Sequence, residues 1–293
     1  MRKRLKETAE NYSFVLPALL MFGIFSVYPY IKVFQLSVYE WDGISAVKIF
    51  VGLQNFKDIF LYDNIWWQSL LQAGYITLLA LVLQNCLALI LALAVSRGIR
   101  AGHVYRVIFY LPPVLSGIVV GLIWSWIYDG NYGLFNHLLE RIGLANLQRA
   151  WLADAKTALT SVAIIHMWKG FGWGFIILLA GLQSIPEELY EAARVDGASA
   201  WHRFRHITVP LMMPVFFLVS ILTILGTMQI YDIIISTTMG GPGSHTEVPI
   251  TRILFSMRGA SRYGYACAQG IIFGVILITV AMIQLRFSRK TQQ

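Results

Sequence analysis

The sequence predicts an all-α polytopic membrane protein with six transmembrane helices and both termini in the cytoplasm. Three observations predict this fold class: an apolar composition, six apolar stretches long enough to cross a membrane, and an uneven distribution of Lys and Arg between them. Of the 293 residues, 57% are hydrophobic and 13% are charged, and the mean hydropathy is +0.63. Because soluble domains carry about 25% charged residues, the chain is predicted to lie in a membrane.

The predicted spans follow from the thickness of the bilayer. A hydrocarbon core about 30 Å thick needs about 20 helical residues to cross it. We place the spans at about 13–36, 69–95, 106–128, 159–181, 214–236 and 263–287, with short tails at 1–12 and 288–293. The first apolar stretch follows four basic residues, as in a signal peptide, but it is too long and lacks an Ala-x-Ala cleavage pattern. It is therefore predicted to remain as a span.

The orientation follows from the basic residues between the spans. Thirteen Lys and Arg lie in the N-terminal tail, in the segments 96–106 and 182–213 and in the C-terminal part from Arg286 onward, against eight in the longer loops of the other side. Cytoplasmic segments are the ones enriched in Lys and Arg, so both termini and the segment 184–213 are predicted to be cytoplasmic. The same rule accounts for the net charge of +8 without a nucleic-acid partner.

The segment 184–213 is the most charged part of the interior and predicts two short helices. Ser184 and Glu187 have the spacing of a capping box, which predicts a helix start there. Gly197 is typical of the left-handed residue that ends a helix. A second short helix is predicted from Ala198 toward 206, separated from the fifth span by Pro210 and Pro214.

The first of these helices is predicted to be a docking surface. Leu189, Ala192, Ala193 and Asp196 share a face at spacings of three and four residues. Small side chains there allow another surface to approach the backbone. The alternative is a helix lying on lipid headgroups, but such helices favour Lys and Arg, whereas this segment has four acidic and three basic residues.

This segment resembles the EAA loop in the membrane subunits of bacterial ATP-binding-cassette importers, in particular the maltose-type permeases of carbohydrate uptake. The matching residues are Glu191, Ala192, Ala193, Asp196, Gly197, Ala198, Phe204, Ile207, Pro210 and Pro214. The resemblance extends over about 10–290, with further agreement at Asn85, Leu111, Pro112, Trp124, 179–183 and 240–242.

The resemblance implies a permease subunit, not an enzyme, in the bacterial cytoplasmic membrane. Its EAA helix would be a coupling helix seated in a cytoplasmic ATPase subunit. The ATPase-coupling residues it implies are Glu187, Glu188, Glu191, Ala192, Ala193, Arg194, Asp196, Gly197, Ala198, Phe204, Ile207 and Pro210. The implied partners are a second homologous permease, two ATP-binding subunits and an extracellular or periplasmic substrate-binding protein. The chain has no G-x-x-x-x-G-K-[ST] phosphate loop, so ATP and Mg²⁺ are expected on the partner ATPase.

Polar residues inside the spans are candidates for the substrate path. Ser220, Thr223, Thr227 and Tyr231 recur at helical spacing in the fifth span, and Gln229 and Asp232 are two further candidates near its outer end. A stripe of hydroxyls offers hydrogen bonds to a sugar. Ser and Thr also bond back to their own helix or join helices together, and both interpretations stay open.

Lys169 lies near the middle of the fourth span, among glycines at 170, 172 and 174. A charge there costs about 2.5–3.5 kcal/mol, so the side chain is predicted to face protein or water. The neighbouring Trp168 offers an aromatic face to a sugar ring, but a single aromatic residue of this kind is more often one that packs against lipid or other helices.

The remaining sequence features predict a shaped loop, but no metal site and no catalytic site. Gly240, Gly241 and Pro242 predict a shaped loop at the outer mouth of the path, or a plain turn. His202 and His206 have no third ligand nearby, so no metal site is predicted, and no catalytic motif is present. Two alternatives stay open: the same type of importer with a glycerol-phosphate-like cargo bound at Lys169, and a polytopic scaffold that transports nothing.

Overall fold

The computed structural model describes residues 15–96 and 101–291, with side chains up to residue 288. The predicted tail 1–12 therefore lies outside the described residues. The described helices are α1 Val15–Leu36, α2 Gln54–Tyr62, α3 Asn64–Ser96, α4 Gly102–Val114, α5 Gly117–Ile127, α6 Leu134–Arg141, α7 Ala158–Gln183, α8 Glu187–Val195, α9 Ala200–Met228, α10 Asp232–Thr237, α11 Pro249–Leu254 and α12 Tyr263–Thr291.

Five of the described helices are long and apolar enough to cross a membrane: α1, α3, α7, α9 and α12. The pair α4 and α5 counts as a sixth span if its two helices are taken together. The prediction of an α-helical polytopic membrane protein is therefore confirmed, with five or six spans. The positions of the termini relative to the membrane stay a prediction.

The structure differs from the prediction at the third span, 106–128. There α4 and α5 meet at a 95° bend, because Leu115 and Ser116 are extended, with ψ of 141° and 135°. Pro112 and Pro113 in the last turn of α4 have no N–H to continue the helix. The bend brings α5 back beside α10, and this contact shapes the candidate site.

The chain divides into two compact units. The first contains the described residues up to Asp63 together with Ile253–Val275. It has an unpredicted pair of short antiparallel strands, β1 Tyr39–Glu40 and β2 Ile49–Phe50. Asn55 on α2 donates to the backbone oxygens of Ser37 at 2.8 Å and Tyr39 at 3.0 Å, and these bonds tie α2 to β1.

A buried polar cluster joins the beginning of α12 to the end of α2 in the same unit. The Tyr265 hydroxyl donates to the Asp63 carboxylate at 2.7 Å, and the Gln269 amide donates to the same oxygen at 3.2 Å. All three side chains are buried. Since a buried carboxylate needs such donors, the cluster fixes how α12 begins.

The second unit, Asn64–Arg252 with Ile276–Gln293, is built around α7. This helix is buried along most of its length and contributes Phe175, Leu178, Leu179 and Leu182 to an apolar core. The other core side chains come from α3 and α9: Ala88, Ala92, Val95, Met212 and Val219. Small residues on α3 and glycines on α7 let the helices pack closely, as is usual inside membranes.

The segment 184–214 corrects two local predictions. The capping box is wrong: α8 begins at Glu187 after Pro186, and the Ser184 hydroxyl donates back to Gly181 O at 2.7 Å. The break before the fifth span is also wrong, because α9 runs from Ala200 to Met228 without interruption. A π turn at Phe204–Thr208 precedes Pro210, and such local adjustments accommodate prolines in membrane helices. The predicted end of α8 is confirmed, since Gly197 has a φ of +76°.

Candidate functional site

A groove of about 540 Å³ lies between α7 and α9 in the second unit. Two helical stripes form its long walls, because residues three and four apart share a helix face. The α7 stripe consists of His166, Lys169, Gly170, Trp173, Gly174 and Ile177. The α9 stripe consists of Val219, Leu222, Thr223, Gly226 and Thr227, and the groove is completed by Gln84, Gln229, Ile230, Asp232 and Ile233. Its volume lies within the range of about 300–1,000 Å³ that is usual for small-molecule sites.

Glycines set the depth of the groove. A Cβ on Gly170 would lie 2.8 Å from the Gln84 amide oxygen. A Cβ on Gly174 would contact Ala88 at 3.4 Å and Val219 at 3.5 Å. By contrast, a Cβ on Gly226 would meet open space. The glycines of α7 therefore let α3 and α9 approach, whereas Gly226 leaves the groove open.

The hydroxyls of α9 already have partners inside the protein. Thr227 Oγ1 donates to Thr223 O at 2.7 Å and lies 3.2 Å from His166 Nε2. Since a hydroxyl has only one proton, Thr227 accepts from His166, and Nε2 of His166 carries a hydrogen. Thr223 Oγ1 donates to Asn85 Oδ1 at 3.1 Å. Towards the groove these hydroxyls can therefore act only as acceptors.

The structure brings together five of the residues that the sequence suggested for a substrate path. These are Lys169, Thr223, Thr227, Gln229 and Asp232. The other three lie outside the groove walls. Trp168 packs edge-on against Trp124 with ring centroids 5.7 Å apart, Ser220 is half-buried, and Tyr231 is exposed before α10.

Two groove residues were missed from the sequence, Gln84 and His166. Both are polar residues in the interior of membrane-spanning helices, and that position alone is a signal of function. Gln84 is only 6% exposed, and its Oε1 has no hydrogen-bond partner among the described residues. A buried amide without a partner is costly, so this atom is available to a ligand.

Asp232 stands at one end of the groove, beside the start of α5. Its carboxylate accepts from the backbone N–H of Ile233 at 2.9 Å. It also packs so closely against Gly117 that a Cβ there would overlap it. The N-terminus of a helix is electropositive, and the start of α5 therefore stabilises this carboxylate.

A second candidate site is the exposed helix α8 with the turn that follows it. Among the suggested coupling residues, Ala193, Ala198, Phe204 and Ile207 are half-buried. The others, Glu187, Glu188, Glu191, Ala192, Arg194, Asp196, Gly197 and Pro210, are exposed. Apolar side chains are exposed beside them, since Val195 is 88% exposed and Trp201 67%. Exposed apolar groups rimmed by charges are typical of a protein-binding surface.

The segment that carries α8 is fixed to the start of α9. The Tyr190 hydroxyl lies 2.9 Å from Thr208 Oγ1, and the Arg203 guanidinium donates to Ala198 O at 2.8 Å. The backbone N–H of Ala198 bonds to Ala193 O at 2.8 Å across the turn at Gly197. These bonds connect α8 and the turn after it to the beginning of α9.

The loop after α10 has a defined shape. Gly240 has a φ of +90°, and its carbonyl accepts from Thr246 N at 3.1 Å. Thr246 Oγ1 donates to Gly241 O at 2.7 Å, and Gln72 on α3 donates to Ser244 O at 3.0 Å. The turn predicted at Gly240, Gly241 and Pro242 is therefore held against α3.

Comparison with known proteins gives relatives that match over nearly the full length of the chain. The chain is 34% identical over 287 residues to the probable ABC transporter permease protein YurN of Bacillus subtilis (strain 168), covering 96% of this chain and 97% of YurN. It is 30% identical to the trehalose/maltose transport system permease protein MalF of Thermococcus litoralis, over 97% of this chain and 95% of MalF. It is 31% identical to the sn-glycerol-3-phosphate transport system permease protein UgpA of Agrobacterium fabrum, over 95% of this chain and 94% of UgpA.

The fold also has a solved counterpart. A crystal structure of a bacterial ABC transporter involved in the import of the acidic polysaccharide alginate matches with a TM-score of 0.85, covering 99% of both chains at 23% identity. At this level of identity the match concerns the fold.

The family model described as the inner membrane component of binding-protein-dependent transport systems matches residues 84–293. This region includes α7, α8 and α9, and hence both candidate sites. The chain therefore belongs to this family, the permease subunits of ATP-binding-cassette importers, as the EAA segment indicated.

Proposed function

We propose that this chain is a permease subunit of an ATP-driven, binding-protein-dependent importer of a sugar or oligosaccharide in a bacterial cytoplasmic membrane. It forms half of a translocation path that opens alternately to the two sides of the membrane. Two relatives support the cargo class: MalF, named for trehalose and maltose, and AmyD of Thermoanaerobacterium thermosulfurigenes, named for starch degradation products.

The observation that carries this proposal is the exposed helix α8 between two long membrane helices. A subunit that binds α8 exerts force on the segment that the Tyr190–Thr208 contact joins to α9. Because α9 forms one wall of the groove, movement of α8 changes the shape of the groove. This connection is what an ATPase needs in order to drive transport from outside the membrane.

The partners follow from what this chain lacks. Two separate ATP-binding subunits bind ATP and Mg²⁺ and dock on α8 and the following turn, through the coupling residues named above. A second, homologous permease completes the path, since transporter sites lie between two repeats or halves. A substrate-binding protein delivers the cargo from outside, and the crystallised alginate transporter has also been captured with a periplasmic protein carrying an alginate pentasaccharide.

The groove is the proposed substrate path. Sugars combine hydroxyls with apolar C–H faces, and this groove combines polar groups with apolar walls. Lys169, Gln229 and Asp232 supply polar contacts, while Trp173 and Ile177 supply apolar surface. Thr223 and Thr227 contribute acceptor oxygens. Trp168, Ser220 and Tyr231 lie outside the groove walls, and no contact with the cargo is assigned to them.

The test is ATP hydrolysis by the assembled importer. The chain is co-expressed with its cognate permease, ATPase and binding protein, purified and placed in lipid nanodiscs. We expect hydrolysis to rise when sugar-loaded binding protein is added, and to stay basal when Glu191→Ala replaces the wild-type chain. A purified chain that assembles with no ATPase subunit would refute the proposal and favour a scaffold.

A further inference from the structure

The cationic and the anionic side chain of the groove differ in their local partners. Three titratable side chains line it: His166, Lys169 and Asp232. Asp232 is compensated locally, because it accepts from the Ile233 N–H at 2.9 Å and packs against Gly117 at the electropositive start of α5. His166 donates through Nε2 to Thr227.

Lys169 has no such compensation. Its side chain is half-buried in the interior of α7, and its ammonium group makes no hydrogen bond or ion pair with a residue in the described ranges 15–96 and 101–291. An ammonium group that is partly removed from water favours an anionic partner. The groove therefore presents a positive charge that this chain leaves unpaired.

Gln84 supplies a second, independent indication of a ligand. It is more than nine-tenths buried, and its amide contacts Gly170, the residue after Lys169. One polar atom of this amide has no partner in the described residues. Because amide oxygen and nitrogen interchange by rotation of the group, the side chain can offer an N–H to an anion in the groove that Lys169 also lines.

We infer that the groove binds a saccharide carrying an anionic group, a carboxylate or a phosphate, which pairs with Lys169 and accepts from Gln84. The apolar surface of Trp173 and Ile177 faces the sugar ring. A neutral sugar satisfies Gln84 but leaves the ammonium group of Lys169 without a counter-charge. This inference rests on the proposed function for the saccharide, and on Lys169 and Gln84 for the charge.

The first arm of the test measures the charge of the groove in the assembled importer. A cysteine is introduced as Gly226→Cys, where a side chain meets open space within the groove. Cys86 and Cys267, the native cysteines, are replaced by alanine. The reaction rates of the new cysteine with a sulfonate and a trimethylammonium methanethiosulfonate are compared, each relative to free cysteine.

We expect the anionic reagent to be favoured about five- to tenfold, as for a unit charge a few ångströms away. Lys169→Gln should remove the preference, and Lys169→Arg should keep it. Equal rates in the Lys169 protein would overturn the inference, because Lys169 would then already be neutralised, by Asp232 or by a carboxylate of another subunit. These rates need no ATP hydrolysis, so their failure is distinct from failure of the proposed function.

The second arm identifies the anionic group. Modification of the cysteine at 226 by a neutral maleimide is followed with digalacturonate, its dimethyl ester, glucose 6-phosphate or glucose. We expect digalacturonate, glucose 6-phosphate or both to protect the cysteine from modification. The uncharged dimethyl ester and glucose should give no protection. Protection by the acid alone assigns a sugar acid, and protection by the phosphate alone assigns a sugar phosphate. Equal protection by ester and acid, no protection at all, or protection unchanged by Lys169→Gln would each overturn the inference.

Discussion

The carboxylate of Asp232 occupies the space that a side chain on Gly117 would need. One turn further along α5, a Cβ on Gly121 would overlap the Ser236 hydroxyl. These two glycines therefore let α5 and α10 pack at backbone distance. The contact depends on the 95° bend between α4 and α5, and it places Asp232 at the end of the groove.

Gly117→Ala should disrupt this contact. The added methyl group displaces Asp232 or separates α10 from α5, and overpacking of this kind costs about 1–3 kcal/mol. We expect a lower unfolding temperature in detergent and reduced transport. Gly74→Ala is the matched control, because Gly74 also lies in a helix but its Cβ would meet open space. Equal stability of the two variants would contradict the packing described for α5 and α10.

Gly197→Ala should uncouple ATP hydrolysis from transport. Gly197 has a φ of +76° and nothing within 4 Å of a Cβ, so the cost is backbone strain of about 1–2 kcal/mol. The strain changes the turn that follows α8. We expect uptake to fall while the amount of protein in the membrane is unchanged, and Gly197→Asn to restore part of the uptake, since asparagine tolerates this conformation.

Gly52→Ala controls for strain alone. Gly52 also has a positive φ, +57°, and open space around a Cβ, but it lies in the first unit, in the loop before α2. The two variants should lose similar stability, and only Gly197→Ala should lose uptake. If both lose uptake equally, α8 has no special role in coupling.

Thr227→Val should change transport kinetics. The substitution keeps the shape but removes the acceptor of His166 Nε2 and the bond to Thr223 O. We expect the transport KM to rise about two- to tenfold, the equivalent of a hydrogen bond worth about 0.5–1.5 kcal/mol. Thr77→Val is the control, since Thr77 is also buried and also donates to its own helix, at 2.7 Å to Ala73 O, away from the groove. Identical kinetics in both variants would remove Thr227 from the path.

Asn136→Ala should destabilise the segment between α5 and α7. The Asn136 amide donates to Gly130 O and Arg149 O, both at 3.0 Å, and accepts from Trp151 Nε1 at 2.7 Å. Leaving such partners unpaired costs about 1–3 kcal/mol. Thermal unfolding should show the loss, whereas Asn146→Ala, at an exposed position, should not. An unchanged unfolding temperature for Asn136→Ala would show that water replaces all three bonds.

The sequence predicted those features that depend on local spacing. The apolar stretches gave the spans, Gly197 gave the end of α8, and the period of Thr223 and Thr227 gave one wall of the groove. Lys169 was recognised as a candidate because a charged side chain inside a span must face protein or water and not lipid. These signals depend only on neighbouring residues in the sequence, so they are the same however the helices pack.

Features that depend on contacts distant in sequence were not predictable in this way. The pairing of Gly117 with Asp232 joins residues more than one hundred positions apart, and it exists because α5 bends back beside α10. Gln84 and His166 lie in apolar helices, and only the packing of α3, α7 and α9 brings them to one groove. The capping box failed because Ser184 bonds to the end of α7 instead.

The central claim is that a separate ATPase subunit docks on α8, and site-specific cross-linking tests it most directly. Ala192→Cys, in a chain without the native Cys86 and Cys267, places a thiol on the exposed helix. Tyr132→Cys, at a position that is 94% exposed in the loop after α5, is the control. We expect a short bifunctional maleimide to capture the ATPase subunit from position 192 and not from 132. Capture from 132 alone, or from neither position in an importer that hydrolyses ATP, would contradict the account.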